Sequence, residues 1–171
     1  MKKEIIEWVK TIMCSLLIAL IITTFASPTI VNGISMAPTL DNYDLLLINK
    51  LAYKDKNIVR GDIIVFKFEE ENKNLIKRVI GVEGDTVEIN KGIVSVNGIE
   101  LTEKYIDFED ISSKDLKIVV PKDSIFVLGD NRNDSRDSRN VEIGTVAEDT
   151  ILGKAYFRLF PFSKIGNPNF Y

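Results

Sequence analysis

The chain contains no histidine and one cysteine, Cys14. Those absences exclude a Ser-His-Asp triad, a Cys-His pair and a histidine-ligated zinc. A serine acting as nucleophile must therefore find another base, and a lysine stripped of its solvation is the common substitute. Ser35, in GISMAPTL, and Lys77, in NLIKRVIGVEGD, are the candidate pair. Lys77 follows Ile76 and precedes Val79 and Ile80, in a run with the composition of a buried strand. On a strand of period two it shares a face with Leu75 and Val79, while Arg78 points with Ile76 and Ile80, so one cation must face apolar surface. Burial disfavours an ammonium ion and lowers a lysine pKa from about 10.4, by as much as about 3–5 pH units, which brings the neutral amine toward neutral pH. Taken singly, each residue also fits a plainer role: Ser35 as a loop serine and Lys77 as a solvent-facing guard of a sheet edge.

A third polar segment, GDNRNDSRDSRN at 129–140, follows the apolar SIFVL. It has too many small polar residues for a strand and reads as a tightly hydrogen-bonded loop. Asp137 and Arg139 are close enough for a charge-assisted pair, and Ser135 offers a hydroxyl that could orient a neighbour. A solvated turn or a calcium loop is the competing description. Arg132, Arg136 and Arg139 would repel a cation, and no glutamate closes the loop.

The elements that must position these residues begin with an apolar N-terminus. Lys2, Lys3 and Lys10 precede an uncharged stretch from Thr11 to Ala26. With its flanks this stretch approaches the roughly 20 residues that a helix needs to cross a bilayer. The lysines would hold residues 1–10 in the cytoplasm, residues 11–27 would form the anchor, and residues 28–171 would lie outside. A cleaved secretory signal is the alternative, and Thr24-Phe25-Ala26 is a tolerable cleavage pattern. Cys14 lies in the apolar run and reads as a small hydrophobe.

Beyond Tyr43 the chain alternates strand-like runs, DLLLI, GDIIVFKF, LIKRVIGV, DTVEI, GIVSV and IFVLGD, with turn residues. Asn97-Gly98, between GIVSV and IEL, predicts a two-residue hairpin. A mostly antiparallel β domain follows. Residues 99–123 are charged and irregular, and read as an insertion or flap outside the chemistry. The aromatic C-terminal run AYFRLFPFSKIGNPNFY reads as core and edge packing. A net charge of −3 with interleaved signs leaves no broad basic face, which excludes nucleic acid as a partner class.

SMAPT, GDIIVF, KRVIGVEGD and GDNRNDSRDSR, in this order after an apolar N-terminus, resemble the type I signal peptidase family in its compact Gram-positive form. The resemblance implies a fold of mainly β class: two antiparallel sheets forming a catalytic core with a small cap near 99–123, preceded by one transmembrane helix. It implies a membrane-bound serine endopeptidase that removes signal peptides from secretory preproteins, cutting after small residues, with no cofactor and no metal. Ser35 would be the nucleophile and Lys77 the base. Ser135 would hydrogen-bond the lysine, Asp137 and Arg139 would form a structural ion pair, and Asp62 and Arg78 would support the site. The stretch from Ile30 to Ile34 and residues near Leu75 would clamp the substrate as an added strand, with Met36 and Ile76 lining shallow pockets. In one branch of the family a serine two residues before the nucleophile helps bind the oxyanion; here that position is Gly33. The Ser35 N–H would be one donor. Gly33→Ser is expected to keep or raise activity by restoring a hydroxyl and Gly33→Val to block the site; the competing reading is that glycine is needed there for close backbone approach or a positive φ. Two alternatives stay open. A relative of the self-cleaving repressors shares the Ser-Lys chemistry but has a DNA-binding domain in place of the anchor. A non-catalytic, membrane-anchored β binding module would have no reason to hold Ser35 and Lys77 in hydrogen-bond reach.

Overall fold

A computed structural model describes residues 2–54, 57–106 and 114–168, with the side chains of positions 18, 21 and 22 left out. Helix α1 spans Lys2–Phe25, about 36 Å at the usual 1.5 Å rise per residue. Ile5, Trp8, Leu16, Leu17 and Leu20 on it are exposed. Near its end Thr24 Oγ1 donates back to the Leu20 carbonyl at 2.7 Å, so the hydroxyl is satisfied within the helix. Among the described residues no helix is long and apolar enough to cross a membrane. The helix boundaries differ from the expected 11–27: the basic tail is helical from Lys2, and Ala26 and Ser27 belong to a strand. That strand, β1 (Ala26–Ile30), is a sheet edge, where Pro28 costs no ladder hydrogen bond.

The remaining strands are β2 (Leu45–Asn49), β3 (Ile63–Phe68), β4 (Lys73–Gly81), β5 (Thr86–Asn90), β6 (Ile93–Val96), β7 (Ile99–Glu100), β8 (Leu116–Val119), β9 (Ser124–Leu128), β10 (Val146–Ala147) and β11 (Ile151–Phe160). They form a seven-stranded sheet in the order β1-β2-β11-β3-β4-β9-β10 and a four-stranded sheet in the order β7-β6-β5-β8. All pairings are antiparallel. The chain is thus mainly β with two antiparallel sheets. Asn97 and Gly98, at φ 54° and 77°, make the expected two-residue turn, across which Val96 pairs with Ile99.

The smaller sheet is an insertion between β4 and β9. It begins at Thr86, earlier than the cap expected near 99–123, because DTVEI and GIVSV pair with each other and with β8 instead of joining the large sheet. Residues 107–113 of that expected cap lie outside the described residues. A cluster of Ile80, Val87, Val94, Val96, Phe126 and Leu128 joins the two sheets. Side chains of β4 and β9 alternate between this cluster and another containing Ile64, Phe66, Val79, Ile125 and Val127, as a sheet buried on both faces requires.

A third cluster lies under the segment that carries Ser35: Val31, Met36, Leu40, Leu46, Ile48, Ile63, Val65 and Ala155. Beside it, Arg158 of β11 donates from Nη1 to Asp44 Oδ2 at 2.8 Å, with the two side chains 8% and 2% exposed. Removing one partner of a buried ion pair strands the other charge, at a cost of about 3–5 kcal/mol. Asp44→Ala is therefore expected to lower unfolding free energy by about that amount in a denaturant titration. A change well under about 1 kcal/mol, the scale of an exposed pair, would show that water reaches Arg158.

Candidate active site

Lys77 sits on β4 opposite Ile64 of β3. Arg78, the next residue, pairs with Leu128 of β9 on the other side. Of β4, only residues from Arg78 to Gly81 are matched by β9, so Lys77 lies where the sheet opens. The segment after β1 enters that opening. Its base is closed by Val31 N–H donating to Asp44 O at 2.9 Å and Tyr43 N–H to Val31 O at 2.8 Å. At its tip, Ala37 N–H donates to Ile34 O at 3.0 Å and Leu40 N–H to Met36 O at 2.8 Å.

Ser35 and Lys77 meet there. Lys77 Nζ donates to Ser35 Oγ at 2.8 Å and to the Ile76 carbonyl at 3.0 Å. Lys77 is 3% exposed. Burial pushes its pKa down from 10.5 to about 8, with Asp137 and Asp130 opposing the fall and Arg136 adding to it. At or above that pH the amine is substantially neutral, and the same contact lets it accept the hydroxyl proton.

The 129–140 loop fastens the pair. Asn131 N–H donates to the Ser35 carbonyl at 3.1 Å, and its side-chain amide donates to the Ile34 carbonyl at 3.2 Å. Thr39 Oγ1 donates to Asp130 Oδ2 at 2.5 Å. Arg78 donates to both oxygens of Asp130, at 2.8 and 2.6 Å, and to the Gly61 carbonyl at 2.9 Å. Arg139 forms the same two-pronged contact with Asp137, both bonds at 2.8 Å, while Gly129 N–H donates to Asp137 Oδ2 at 2.9 Å. Gly129 admits no side chain: a Cβ there would lie 2.1 Å from Ser135 Oγ and 2.4 Å from the Ser35 carbonyl oxygen.

Several residues stand elsewhere than their implied roles require. Ser135 Oγ is buried without a hydrogen-bond partner among the described residues, so the implied bond to Lys77 is not formed; the hydroxyl packs over Gly129, while the amine is taken by Ser35 and the Ile76 carbonyl. Asp62 binds Tyr53 and Lys154, at 2.8 and 2.5 Å, and ties β3 to β11. Met36 is 1% exposed within the core cluster and offers no surface to a ligand. Ile76 is half-buried and packs on the same cluster. Gly33 is no oxyanion donor, because its N–H already donates to Asn42 Oδ1 at 2.8 Å. Ser35 N–H has no acceptor among the described residues. Val31 is held by Asp44 and Tyr43, so the stretch from Ile30 to Ile34 is only partly free to pair with an added strand.

Asp130, Thr39 and Asn131 were not singled out by the sequence. Asp130 left a signal: a carboxylate two residues beyond a buried strand must be paired, and Arg78 is a buried guanidinium on the neighbouring strand. Among the described residues no group of three or more histidine, cysteine or acidic side chains is placed to hold a metal.

Residues 5–160 match the model of the family described as signal peptidase, peptidase S26. The chain is 39% identical over 174 residues to "Signal peptidase I P" of Bacillus subtilis subsp. natto, covering 96% of this chain and 93% of the relative. It is 36% identical over 182 residues to "Signal peptidase IB" of Staphylococcus aureus strain COL, covering 96% and 94%. Among solved structures it is similar to the crystal structure of a signal peptidase I from Enterococcus faecalis V583. That match has a TM-score of 0.51 and 31% identity, and covers 58% of this chain and 97% of the other.

Gly33 has φ +107° and open space where a Cβ would project. This geometry favours the backbone-conformation reading of Gly33 over the replacement of a missing hydroxyl. Gly33→Ser should cost about 1–3 kcal/mol of strain and, where the loop relaxes to relieve it, displace Ser35 and lower kcat/KM by about tenfold or more. Peptide cleavage measured beside thermal melting checks this; wild-type values for both would show that the strain is absent.

Proposed function

This chain belongs to the signal peptidase family S26, and from that premise we infer that Ser35 is its nucleophile and Lys77 its general base. As a type I signal peptidase it is a serine endopeptidase that removes signal peptides from preproteins. The observation that carries the residue assignment is the 2.8 Å contact between Lys77 Nζ and Ser35 Oγ, in a chain without histidine.

In this reading Ser35 Oγ attacks the scissile carbonyl carbon while its proton passes to Lys77 Nζ. The charge on the carbonyl oxygen is met by the Ser35 N–H. Lys77 then gives the proton to the departing amine, which leaves an ester on Ser35. Water attacks the ester, losing its proton to Lys77, which returns it to Ser35 Oγ as the acyl C–O bond breaks and the acid product departs. Arg78, Asp130, Asp137 and Arg139 carry no proton; their mutual pairing supports a role in placing the two reacting groups. Leu75 and Ile76, on the part of β4 that β9 leaves unmatched, are the place for an extended substrate to add as a strand, with small side chains flanking the cut. A non-catalytic binding module is not favoured, since it gains nothing from a buried amine against a hydroxyl.

The reading also includes a single membrane anchor, with the N-terminus in the cytoplasm and residues 28–171 outside. Its support is the uncharged sequence from Thr11 to Ala26, the length of α1 and the exposed apolar side chains along it. That no helix is long and apolar enough to cross holds of the described residues, which leave out the side chains of the three isoleucines at positions 18, 21 and 22.

Three outcomes are expected. Ser35→Ala, Lys77→Ala and Lys77→Arg should each abolish cleavage of a preprotein by the detergent-solubilised chain, because arginine stays charged where a neutral base is needed. The active form has Lys77 deprotonated, so kcat/KM should climb as pH rises through about 8 and level off above it. A profile flat from mildly acid to mildly alkaline pH would remove Lys77 from the base role. For the anchor, the full chain should sediment with membranes and resist alkaline carbonate extraction, and release into the carbonate supernatant would argue against a spanning helix.

A further inference from the structure

The loop that carries Asp130 is gripped from a direction the reaction does not use. After β7 the chain folds back from the smaller sheet, with Leu101 N–H donating to Val94 O at 2.9 Å. Leu101 packs on the cluster that contains Phe126 and Leu128. This course brings the Glu103 carboxylate to Arg132, whose side chain is 1% exposed against 10% for Glu103. Arg132 Nη1 donates to Glu103 Oε2 at 2.8 Å, Nη2 donates to Oε1, and Nε donates to the Gly129 carbonyl at 3.1 Å. The Tyr105 hydroxyl donates to the same Oε1 at 2.6 Å. The Tyr105 ring lies 3.9 Å from Arg78 Cζ, in cation–π contact, and Arg78 holds Asp130. Glu103, Arg132, Arg78 and Tyr105 thus close a ring around Gly129 and Asp130.

We infer that Glu103 is a positioning residue for the cleavage reaction. Through Arg132 it fixes the Gly129–Asn131 turn, which in turn holds the Ser35 carbonyl and keeps Asp130 within electrostatic reach of Lys77. The inference rests on the Ser35–Lys77 reading and extends the machinery into the charged segment after β7. Two physical points carry it. A buried Arg–Glu pair stabilises a fold no better than apolar side chains of similar volume, so stability alone does not account for it here. Asp130 also acts electrostatically on Arg132. Without Glu103, Arg132 is left to compete with Arg78 for Asp130, and the turn that touches Ser35 shifts.

The test uses the full-length chain in detergent and a synthetic peptide spanning a signal-peptide cleavage site, with Ser35→Ala as control. Substantial cleavage by that control would overturn the Ser35–Lys77 reading itself, separately from the role of Glu103. Glu103→Gln is expected to lower kcat by about 10- to 100-fold, as a small misplacement of reacting groups does, with KM within about twofold of wild type. Paired Glu103→Met and Arg132→Met substitutions should restore melting to near wild type without restoring kcat. Recovery of both would show that the pair is merely structural and would overturn the inference. So would a folded Glu103→Gln chain with kcat within about twofold of wild type. Should those variants fail to fold, Tyr105→Phe keeps the ring against Arg78 and removes only the hydroxyl bond to Glu103. It should lower kcat about threefold at unchanged KM, and full kcat there would equally overturn the proposal.

Discussion

Everything around Ser35 follows from the need to keep one amine out of water. Lys77 is 3% exposed, and burial is the largest influence on its pKa. A cation desolvated in this way gains relief if carboxylates approach, yet close carboxylates would return it to the protonated form. The structure resolves that tension by giving each nearby carboxylate its own guanidinium. Asp137 is bound by Arg139 and Asp130 by Arg78, each through two hydrogen bonds. Neither aspartate contacts Lys77 Nζ, whose partners are Ser35 Oγ and the Ile76 carbonyl. Their remaining attraction for a proton is felt but is outweighed by burial.

The same pairing fixes where the hydroxyl can stand. The Ser35 segment leaves the edge strand β1, returns to β2, and has Met36 and Leu40 anchored in the core. Its tip is held by Asn131 and, through Thr39, by Asp130. Apolar anchoring below and polar contacts from the loop after β9 leave Ser35 little freedom to rotate away from the amine. A positive φ at Gly33 lets the chain turn into this position with no side chain in the way.

Much of this was legible in the sequence, for identifiable reasons. The β-branched runs from Ile63 to Ile80 and from Thr86 to Val96 carry both period and composition, and they fold as strands nearly where expected. Ser35 and Lys77 could be paired because the absence of histidine leaves so few other bases. β1 was hidden because Ser27-Pro28-Thr29 reads as the polar end of an apolar helix, and a proline argues against a strand except at a sheet edge. β11 was hidden because register shifts at Ala155/Phe157 and Arg158/Phe160 break its alternation. Pairings such as Arg78–Asp130 and Arg132–Glu103 join residues far apart in the chain, and nothing local announces them. The burial of Met36 was missed for a related reason: a methionine beside the Ser35 hydroxyl looks like a pocket wall until the strands beneath it are placed.

Topology explains why the smaller sheet bears on the chemistry at all. It is spliced between β4, which carries Lys77, and β9, which leads into Gly129 and Asp130. Those two strands pair only from Arg78 to Gly81 on one side and Phe126 to Leu128 on the other, at the end where the insertion leaves and returns. Were the pairing to continue past Leu128, β9 would occupy the space beside Lys77 and Ser35 could not approach. The short pairing therefore opens a gap, and a gap beside a buried amine would admit water unless something filled it. The Ser35 segment fills it from β1 and the Gly129–Asn131 turn closes it above. The insertion itself braces that turn through Arg132. An insertion between two site-bearing strands can be lengthened or shortened without disturbing the large sheet, but only while it still delivers a partner for the buried arginine.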